Sequence, residues 1–311
     1  MTSFNEGFSE AWVDGEQHNN PGLAAKPAGP GGLCVVAVNP YKDVAEMCIQ
    51  LAGFDVYYHD AIENKLVNRA GFTDFESYDY DTISTFDGID NTAPHAFAHK
   101  KMPDGTTVVM VAIRGTGTEH GLFESADTWI SNINTGLRIT TEHWGFGLAT
   151  NNVVGHLNNY LWRKNLTVPG STSTLKSNVK IVITGHSRGA AVGNLLTERL
   201  HTKYAPKDEF EKVQERIFNY NFATPWTVAD KPDAKERANI LNINNKQDPI
   251  TTNLPTIGKW YRHGKDITFD KAGDPNTGLL IGSLGICLGH HRAELYQREI
   301  IRNTGLTPSL G

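Results

Sequence analysis

The clearest pattern along the chain is a set of short, continuous apolar runs rich in β-branched residues. They lie at residues 107–113 (TVVMVAI), 179–184 (VKIVIT), 217–223 (IFNYNFA) and 240–244 (ILNIN). Runs of this length without polar alternation are typical of strands that are buried on both faces of a parallel sheet. Helical stretches separate several of them, so the pattern predicts an α/β fold with a mainly parallel sheet.

Helical periodicity appears between these runs. Apolar residues at helical spacing predict a helix over residues 44–51 that ends at Gly53, and further helices over 151–162 and 190–200. Residues 95–99 are predicted as a strand that Asp104-Gly105 turns back into the 107–113 run. Residues 72–92 are acidic, aromatic and turn-rich, and we assign no element to them.

Domain organisation is indicated by a Pro- and Gly-rich stretch at residues 21–32 (PGLAAKPAGPGG). A length of 311 residues on its own suggests two domains. The order of the motifs described below favours a single domain over residues 33–311, with residues 1–32 as an N-terminal extension. An ordinary surface loop within one domain is the alternative interpretation of the Pro- and Gly-rich stretch.

Composition and charge exclude several functional classes. The formal net charge of −5 argues against a nucleic-acid partner, and no run approaches the roughly 20 apolar residues of an integral membrane helix. The first residues have neither a basic nor an apolar segment, so we expect a soluble chain without a signal peptide. A secreted and a cytoplasmic location both stay open. We assign no oligomeric state. Three scattered cysteines form no disulfide framework.

We also expect neither a cofactor nor a metal. His95 and His99 are four residues apart, but in a strand this spacing places them well apart on one face, and no accompanying ligand motif is present.

The strongest chemical motif is Gly185-His186-Ser187-Arg188-Gly189, a G-x-S-x-G pentapeptide. It follows a predicted central strand and begins a predicted helix, which is the context of a nucleophile elbow with its serine on a sharp turn. We therefore predict Ser187 as the nucleophile. The backbone N–H of Arg188, at the start of the helix, is a predicted oxyanion donor.

A serine nucleophile needs a base and an orienting acid, which follow it along the chain in α/β-hydrolases. From the residues alone, Asp248 ranks about equally with Asp266 and Asp270 as the acid. Two adjacent histidines, His290 and His291, are candidates for the base.

Several motifs in a fixed order resemble those of the class 3 lipases, and a bacterial-type member in particular. They include VAIRGT at 111–116, WISN at 129–132, HWGF at 143–146, GHSRGAA at 185–191, FATP at 222–225 and the N-x-x-D-P pattern at 245–249. The resemblance covers residues from about 41 to about 301 and implies an α/β-hydrolase fold.

The resemblance also implies roles for the candidate residues. Asp248 in the N-x-x-D-P pattern becomes the preferred acid, and His291, five positions before Tyr296, the preferred base. His290 is then a neighbouring donor or the alternative base. Thr116 corresponds to the second oxyanion donor.

Together these features predict a serine hydrolase that cleaves carboxylic esters through an acyl-enzyme, either a lipase or an acylglycerol esterase. Its partner would be an ester or lipid substrate, with transient contact at a lipid interface. Residues 117–127 are either a lid over the site or an ordinary surface loop. Two alternatives differ in function: a catalytically silent binding domain on the same fold, or a hydrolase of amide or phospholipid acyl bonds.

Overall fold

A computed structural model describes most of the chain between residues 42 and 302. The described residues are 42–80, 92–115, 142–171, 174–204, 215–232, 237–253, 259–271, 280–281 and 286–302. The predicted extension at residues 1–32 and the segment 117–127 lie outside them, so the domain division stays a prediction.

A seven-stranded sheet forms the centre of the fold, and its strands lie side by side in chain order. The strands are β1 (Thr73–Tyr78), β2 (His95–Lys101), β3 (Thr107–Ile113), β4 (Val179–His186), β5 (Ile217–Phe222), β6 (Ile240–Asn245) and β7 (Lys265–Phe269). The first three pair antiparallel, and β3 to β7 are all parallel. A separate two-stranded ladder pairs β8 (Leu280–Ile281) with β9 (Ile286–Cys287).

Both faces of the sheet are buried, which explains why the central strands have no polar alternation. In β3, Met110 and Ala112 belong to one core cluster, whereas Val111 and Ile113 belong to the other. Successive side chains of a strand point to opposite faces, so a strand covered on both faces needs apolar residues at every position.

Helices cover the two faces. The α-helices are α1 (Lys42–Gly53), α2 (His59–Glu63), α3 (Trp144–Arg163), α4 (Arg188–Tyr204), α5 (Pro249–Asn253) and α6 (Ala293–Arg302). Helix α1 packs against α6 on one face, and α3 packs against α4 on the other. Within the described parts of the chain, no helix has the length and apolarity of a membrane span.

This architecture confirms the predicted α/β-hydrolase fold with its mainly parallel sheet. Differences from the prediction concern element bounds. Helix α3 starts at Trp144, about two turns before the predicted residue 151, and the unassigned region 72–92 contains strand β1. Strand β1 is an edge strand, and its charged side chains bind the end of α3: Lys164 Nζ lies 2.7 Å from Asp74 Oδ1.

Candidate active site

The G-x-S-x-G pentapeptide forms a sharp turn between β4 and α4. Ser187 lies between the two elements with φ of +58°, a left-handed value that is uncommon for a residue other than glycine. A Cβ at Gly185 would overlap the backbone of Gly189, and a Cβ at Gly189 would overlap the carbonyl oxygen of Ile113. The two flanking glycines are therefore required by the close approach of strand and helix, as in a nucleophile elbow.

The end of β3 lies directly beside the serine. A Cβ built on Gly115 would be 2.6 Å from the carbonyl oxygen of His186 and 3.5 Å from Cβ of Ser187. Thr116, the predicted oxyanion donor next in the chain, lies outside the described residues. Arg114 holds this turn in place, since its guanidinium carbon lies 5.4 Å from the centroid of the Tyr57 ring.

The other predicted oxyanion donor, Arg188, is the first residue of α4. Its peptide N–H therefore belongs to the first turn, adjacent to Ser187 and at the positive end of the helix dipole. Negative charge that develops next to Ser187 would be stabilised at this end of the helix.

Asp248 is fully buried three residues after the end of β6, immediately before helix α5. Its Oδ1 accepts a hydrogen bond of 2.9 Å from the backbone N–H of Ile250, so the carboxylate caps α5, and Pro249 occupies the first helical position. The local sequence thus orients the side chain and leaves Oδ2 for other partners.

His291 is the histidine that meets this carboxylate. Its Nδ1 donates a hydrogen bond of 2.8 Å to Asp248 Oδ2, which assigns the ring proton to Nδ1 and leaves a lone pair on Nε2. The backbone carbonyl of His290 accepts a 3.3 Å hydrogen bond from Asn245 Nδ2. Among the described residues, Nε2 of His291 has no hydrogen-bond partner, including Ser187; such bonds often form only when substrate is bound.

Tyr296 is a second buried partner of the carboxylate. Its hydroxyl donates a 2.7 Å hydrogen bond to Asp248 Oδ2 and accepts one of 3.1 Å from the backbone N–H of Asn245. Burial, with the neighbouring negative charge of Asp248, raises the pKa of Tyr296 well above its usual value, so the phenol remains a donor. Its spacing from His291 was the signal in the sequence, although no role for it is predicted there.

The two competing aspartates have other partners. Asp266 lies 3.3 Å from the guanidinium of Arg262, and Asp270 accepts a 2.6 Å hydrogen bond from Gln247. Asp248 is therefore the aspartate that the structure brings to a histidine near the elbow.

His186, the variable residue before the serine, joins the elbow to the histidine loop. Its Nε2 donates a 3.0 Å hydrogen bond to the carbonyl oxygen of His291, and the two rings lie 5.0 Å apart. Burial, assisted by the nearby His291, lowers the pKa of His186 to about 3, so this ring is neutral. This contact fixes the backbone of His291 relative to Ser187. The G-x-S-x-G motif does not predict it, because the motif allows any residue at the position of His186.

The buried histidines predict a loss of stability in mild acid. Burial lowers the pKa of His186 to about 3 and that of His201 to about 4, whereas an unfolded histidine titrates near 6.5. Below pH 6.5 the unfolded chain therefore binds more protons, and the free energy of unfolding falls toward pH 4 by about 1.4 kcal/mol per pH unit for each histidine. Urea unfolding at pH 7, 6 and 5 measures this slope.

The variant His201→Gln is compared with the unmodified chain, since His201 lies outside the candidate site. Its slope between pH 6 and 5 should be smaller by about 1.4 kcal/mol per pH unit, whatever its absolute stability. An unfolding free energy that does not change between pH 7 and 5, or an unaltered slope in the variant, would contradict this account.

Comparison with known families covers the region that contains the elbow and the candidate acid. Residues 110–258 match the lipase (class 3) family. This match confirms the resemblance predicted from the ordered motifs, and it supports a lipase-like ester hydrolase. The class 3 lipase region includes Ser187 and Asp248, whereas His291 lies beyond its end. No curated protein sequence matches the chain significantly.

Solved structures of fungal lipases are distant neighbours of this chain. The Rhizomucor miehei lipase propeptide complex has a TM-score of 0.46 at 16% identity and covers 73% of this chain and 68% of that one. Lipase II from Rhizopus niveus has a TM-score of 0.40 at 14% identity, with 58% and 63% covered. The lipase from Rhizopus microsporus var. chinensis has a TM-score of 0.39 at 15% identity, with 58% of each chain covered.

Proposed function

We propose that this chain is a serine hydrolase of carboxylic esters, with acylglycerols as its preferred substrate class. The observation that carries the proposal is a serine with a left-handed backbone conformation, Ser187, at a strand-to-helix elbow, together with a 2.8 Å hydrogen bond from His291 to the buried carboxylate of Asp248. The class 3 lipase match over residues 110–258 supports the same chemistry.

In the proposed mechanism, Ser187 Oγ attacks the ester carbonyl while Nε2 of His291 takes the hydroxyl proton. Asp248 holds the imidazole in the required tautomer and stabilises the imidazolium ion that forms. The imidazolium then gives its proton to the departing alcohol, which leaves an acyl-enzyme on Ser187. Water, activated by the same imidazole, hydrolyses the acyl-enzyme and releases the acid.

The oxyanion of each tetrahedral intermediate would be held by backbone N–H groups of Arg188 and Thr116. A peptide N–H serves at this position whatever its side chain is, so the Arg188 guanidinium leaves this step unaffected. The half-buried Arg188 side chain adds a positive charge near the serine. We propose that this charge alters the preference among ester substrates without taking part in bond cleavage.

Hydrolysis of p-nitrophenyl esters from acetate to palmitate, with emulsified triacylglycerol and a phospholipid in parallel, tests the proposal. We expect turnover of esters with a clear optimum in acyl length, and turnover of triacylglycerol above that of phospholipid. Ser187→Ala, purified in the same way, should lose this turnover, because it removes only the attacking oxygen.

Three results would contradict the proposal. Equal turnover by the Ser187→Ala variant would show that the serine is not the nucleophile. Turnover of phospholipid alone, or of an amide alone, would assign a different acyl substrate class. An absence of turnover on every ester, by a chain that is folded, would favour a binding domain that lacks activity.

Tyr296 is proposed as a positioning residue for Asp248. Tyr296→Phe removes one of the two side-chain hydrogen bonds to Oδ2 and keeps that of His291, so we expect kcat to fall by about tenfold. Without the phenolic donor, the carboxylate presents more negative charge to His291 and favours the imidazolium. The apparent pKa of the base in the kcat/KM profile should therefore rise, whereas a merely structural role would leave that pKa unchanged.

A further inference from the structure

A second cluster of chemically reactive side chains lies outside the proposed active site. Asp79, His95 and His156 each offer one ligand-type atom, and these three atoms lie within 4.8 Å of one another. They come from three different places: the chain just after β1, the first residue of β2, and the middle of α3. Sequence spacing therefore does not reveal them as a set.

His95 has the hydrogen bonding of a metal ligand. It is fully buried, and its Nδ1 lies 2.6 Å from the carbonyl oxygen of Ala93. A carbonyl only accepts hydrogen bonds, so the proton is on Nδ1 and Nε2 has a lone pair. Metal-binding histidines commonly donate their second N–H to a carbonyl in this way.

The nitrogen of the second histidine faces that lone pair. Nδ1 of His156 lies 3.1 Å from Nε2 of His95, and without a metal its N–H donates a hydrogen bond to that lone pair. A bound ion would take the place of this proton between the two nitrogens. Two ligand nitrogens on one tetrahedral zinc ion, each about 2.05 Å from the metal, are roughly 3.3 Å apart. The observed separation therefore matches two ligands of a single ion.

Tyr78 holds the two imidazoles in these orientations. Its ring stacks on His156 with centroids 4.2 Å apart and on His95 with centroids 5.3 Å apart, at interplanar angles of 14° and 16°. The phenol is itself fixed, since its hydroxyl donates a 2.7 Å hydrogen bond to Glu76. The histidine pair is thus preorganised, which lowers the entropic cost of binding an ion.

Asp79 supplies a negatively charged oxygen beside the pair. Its φ of +63° turns the chain sharply after β1, and aspartate is among the residues that adopt this conformation most readily. The turn places a half-buried carboxylate at the cluster. Since ligand atoms around zinc are roughly 3.3 Å apart, the carboxylate needs to approach by no more than about 1.5 Å.

We propose that Asp79, His95 and His156 bind one divalent transition-metal ion, with zinc as the preferred ion and water completing its coordination. Two imidazoles and one carboxylate suit zinc and its neighbours rather than magnesium or calcium, which prefer oxygen ligands alone. This proposal revises the expectation, drawn from His95 and His99, that the chain has no metal ligands. The partner of His95 comes from α3 and not from its own strand.

The ion would join the antiparallel edge of the sheet to the helical layer. His95 pairs with Ile113, which in turn pairs with Gly185 of the elbow. Strands are about 4.8 Å apart, so the metal-binding strand lies about 10 Å from the elbow strand along the sheet. The site is therefore separate from the proposed active site, and its role is to stabilise the contact of β1 and β2 with α3.

Metal content and thermal stability test the proposal independently of hydrolysis. The full chain is stripped with EDTA and incubated with zinc or magnesium chloride. One portion is desalted for elemental analysis, and thermal unfolding is recorded on the other portion with the metal still present. We expect one retained zinc per chain, no retained magnesium, and a Tm higher by about 5 °C with zinc in hundredfold excess over its Kd.

Conservative variants identify the ligands. His156→Gln and Asp79→Asn keep side-chain volume and should each lose the retained zinc and the Tm increase. His99→Gln removes a histidine from the same strand as His95 but outside the cluster, and it should bind zinc like the unmodified chain. Failure of the unmodified chain to retain zinc, or retention by His156→Gln equal to that of His99→Gln, would overturn the proposal.

Discussion

Replacement of His291 with alanine should lower kcat for ester hydrolysis by about 10⁵- to 10⁶-fold, whereas His290→Ala should stay within about tenfold of the unmodified chain. The two histidines are adjacent, but they have different partners. The His291 ring binds Asp248 at 2.8 Å, and the carbonyl of His290 accepts a hydrogen bond from Asn245. The His291 ring is therefore held by a carboxylate, with its Nε2 available to accept a proton.

Steady-state kinetics of both variants on one activated ester measures this difference. The two variants are matched controls for each other, since each removes one imidazole from the same turn. A larger loss for His290→Ala than for His291→Ala would reverse the assignment of the base. Equal and small losses would show that neither histidine accepts the serine proton.

Replacement of Asp248 with asparagine should lower kcat by about 10⁴-fold with little change in fold. The asparagine amide oxygen can still accept the hydrogen bond from Ile250 that caps α5. An amide cannot stabilise an imidazolium ion, and a donating Nδ2 facing His291 would favour the tautomer with its proton on Nε2. That tautomer has no lone pair for the proton of Ser187.

Asp270→Asn is the matched control, because this aspartate is also near the end of a parallel strand but binds Gln247. It should leave kcat unchanged. Rates measured between pH 6 and 9 for both variants, with Tm recorded for each, separate loss of function from loss of stability. A drop of less than about tenfold in the Asp248→Asn variant would contradict its role as the orienting acid.

The central sheet and the elbow were predictable because each depends on local sequence. A strand buried on both faces requires a continuous apolar run, and both 107–113 and 179–184 form such strands. The elbow requires glycine at positions 185 and 189, where a side chain would overlap a neighbouring backbone, and the G-x-S-x-G motif contains both glycines. Both the apolar strand and the glycine motif are formed by residues that are close together in the sequence, so a short segment is enough to predict them.

Other features depended on contacts between distant parts of the chain. Strand β1 has an acidic, aromatic sequence without strand periodicity, and it is stabilised by ion pairs with Arg163 and Lys164 at the end of α3. The start of α3 was missed because glycines at 145 and 147 resemble a turn; at Gly147 a Cβ would overlap the carboxylate of Glu142. The choice of Asp248 likewise came from the resemblance and not from spacing.

The proposed metal cluster also depends on contacts between distant parts of the chain. Spacing along the strand associates His95 with His99. The nitrogen that faces His95 belongs instead to His156, which lies on helix α3. No periodicity within a segment indicates a contact of this kind. The tertiary arrangement of strand and helix is needed to bring the two rings together.

Covalent labelling by a fluorophosphonate probe, with the modified peptide located by mass spectrometry, tests the central claim most directly. The probe reacts with a serine that is activated by a neighbouring base, whereas an ordinary serine hydroxyl does not react. The account predicts stoichiometric labelling at Ser187, loss of labelling in Ser187→Ala and strong slowing in His291→Ala. An unlabelled folded chain, or labelling that persists in Ser187→Ala, would contradict it.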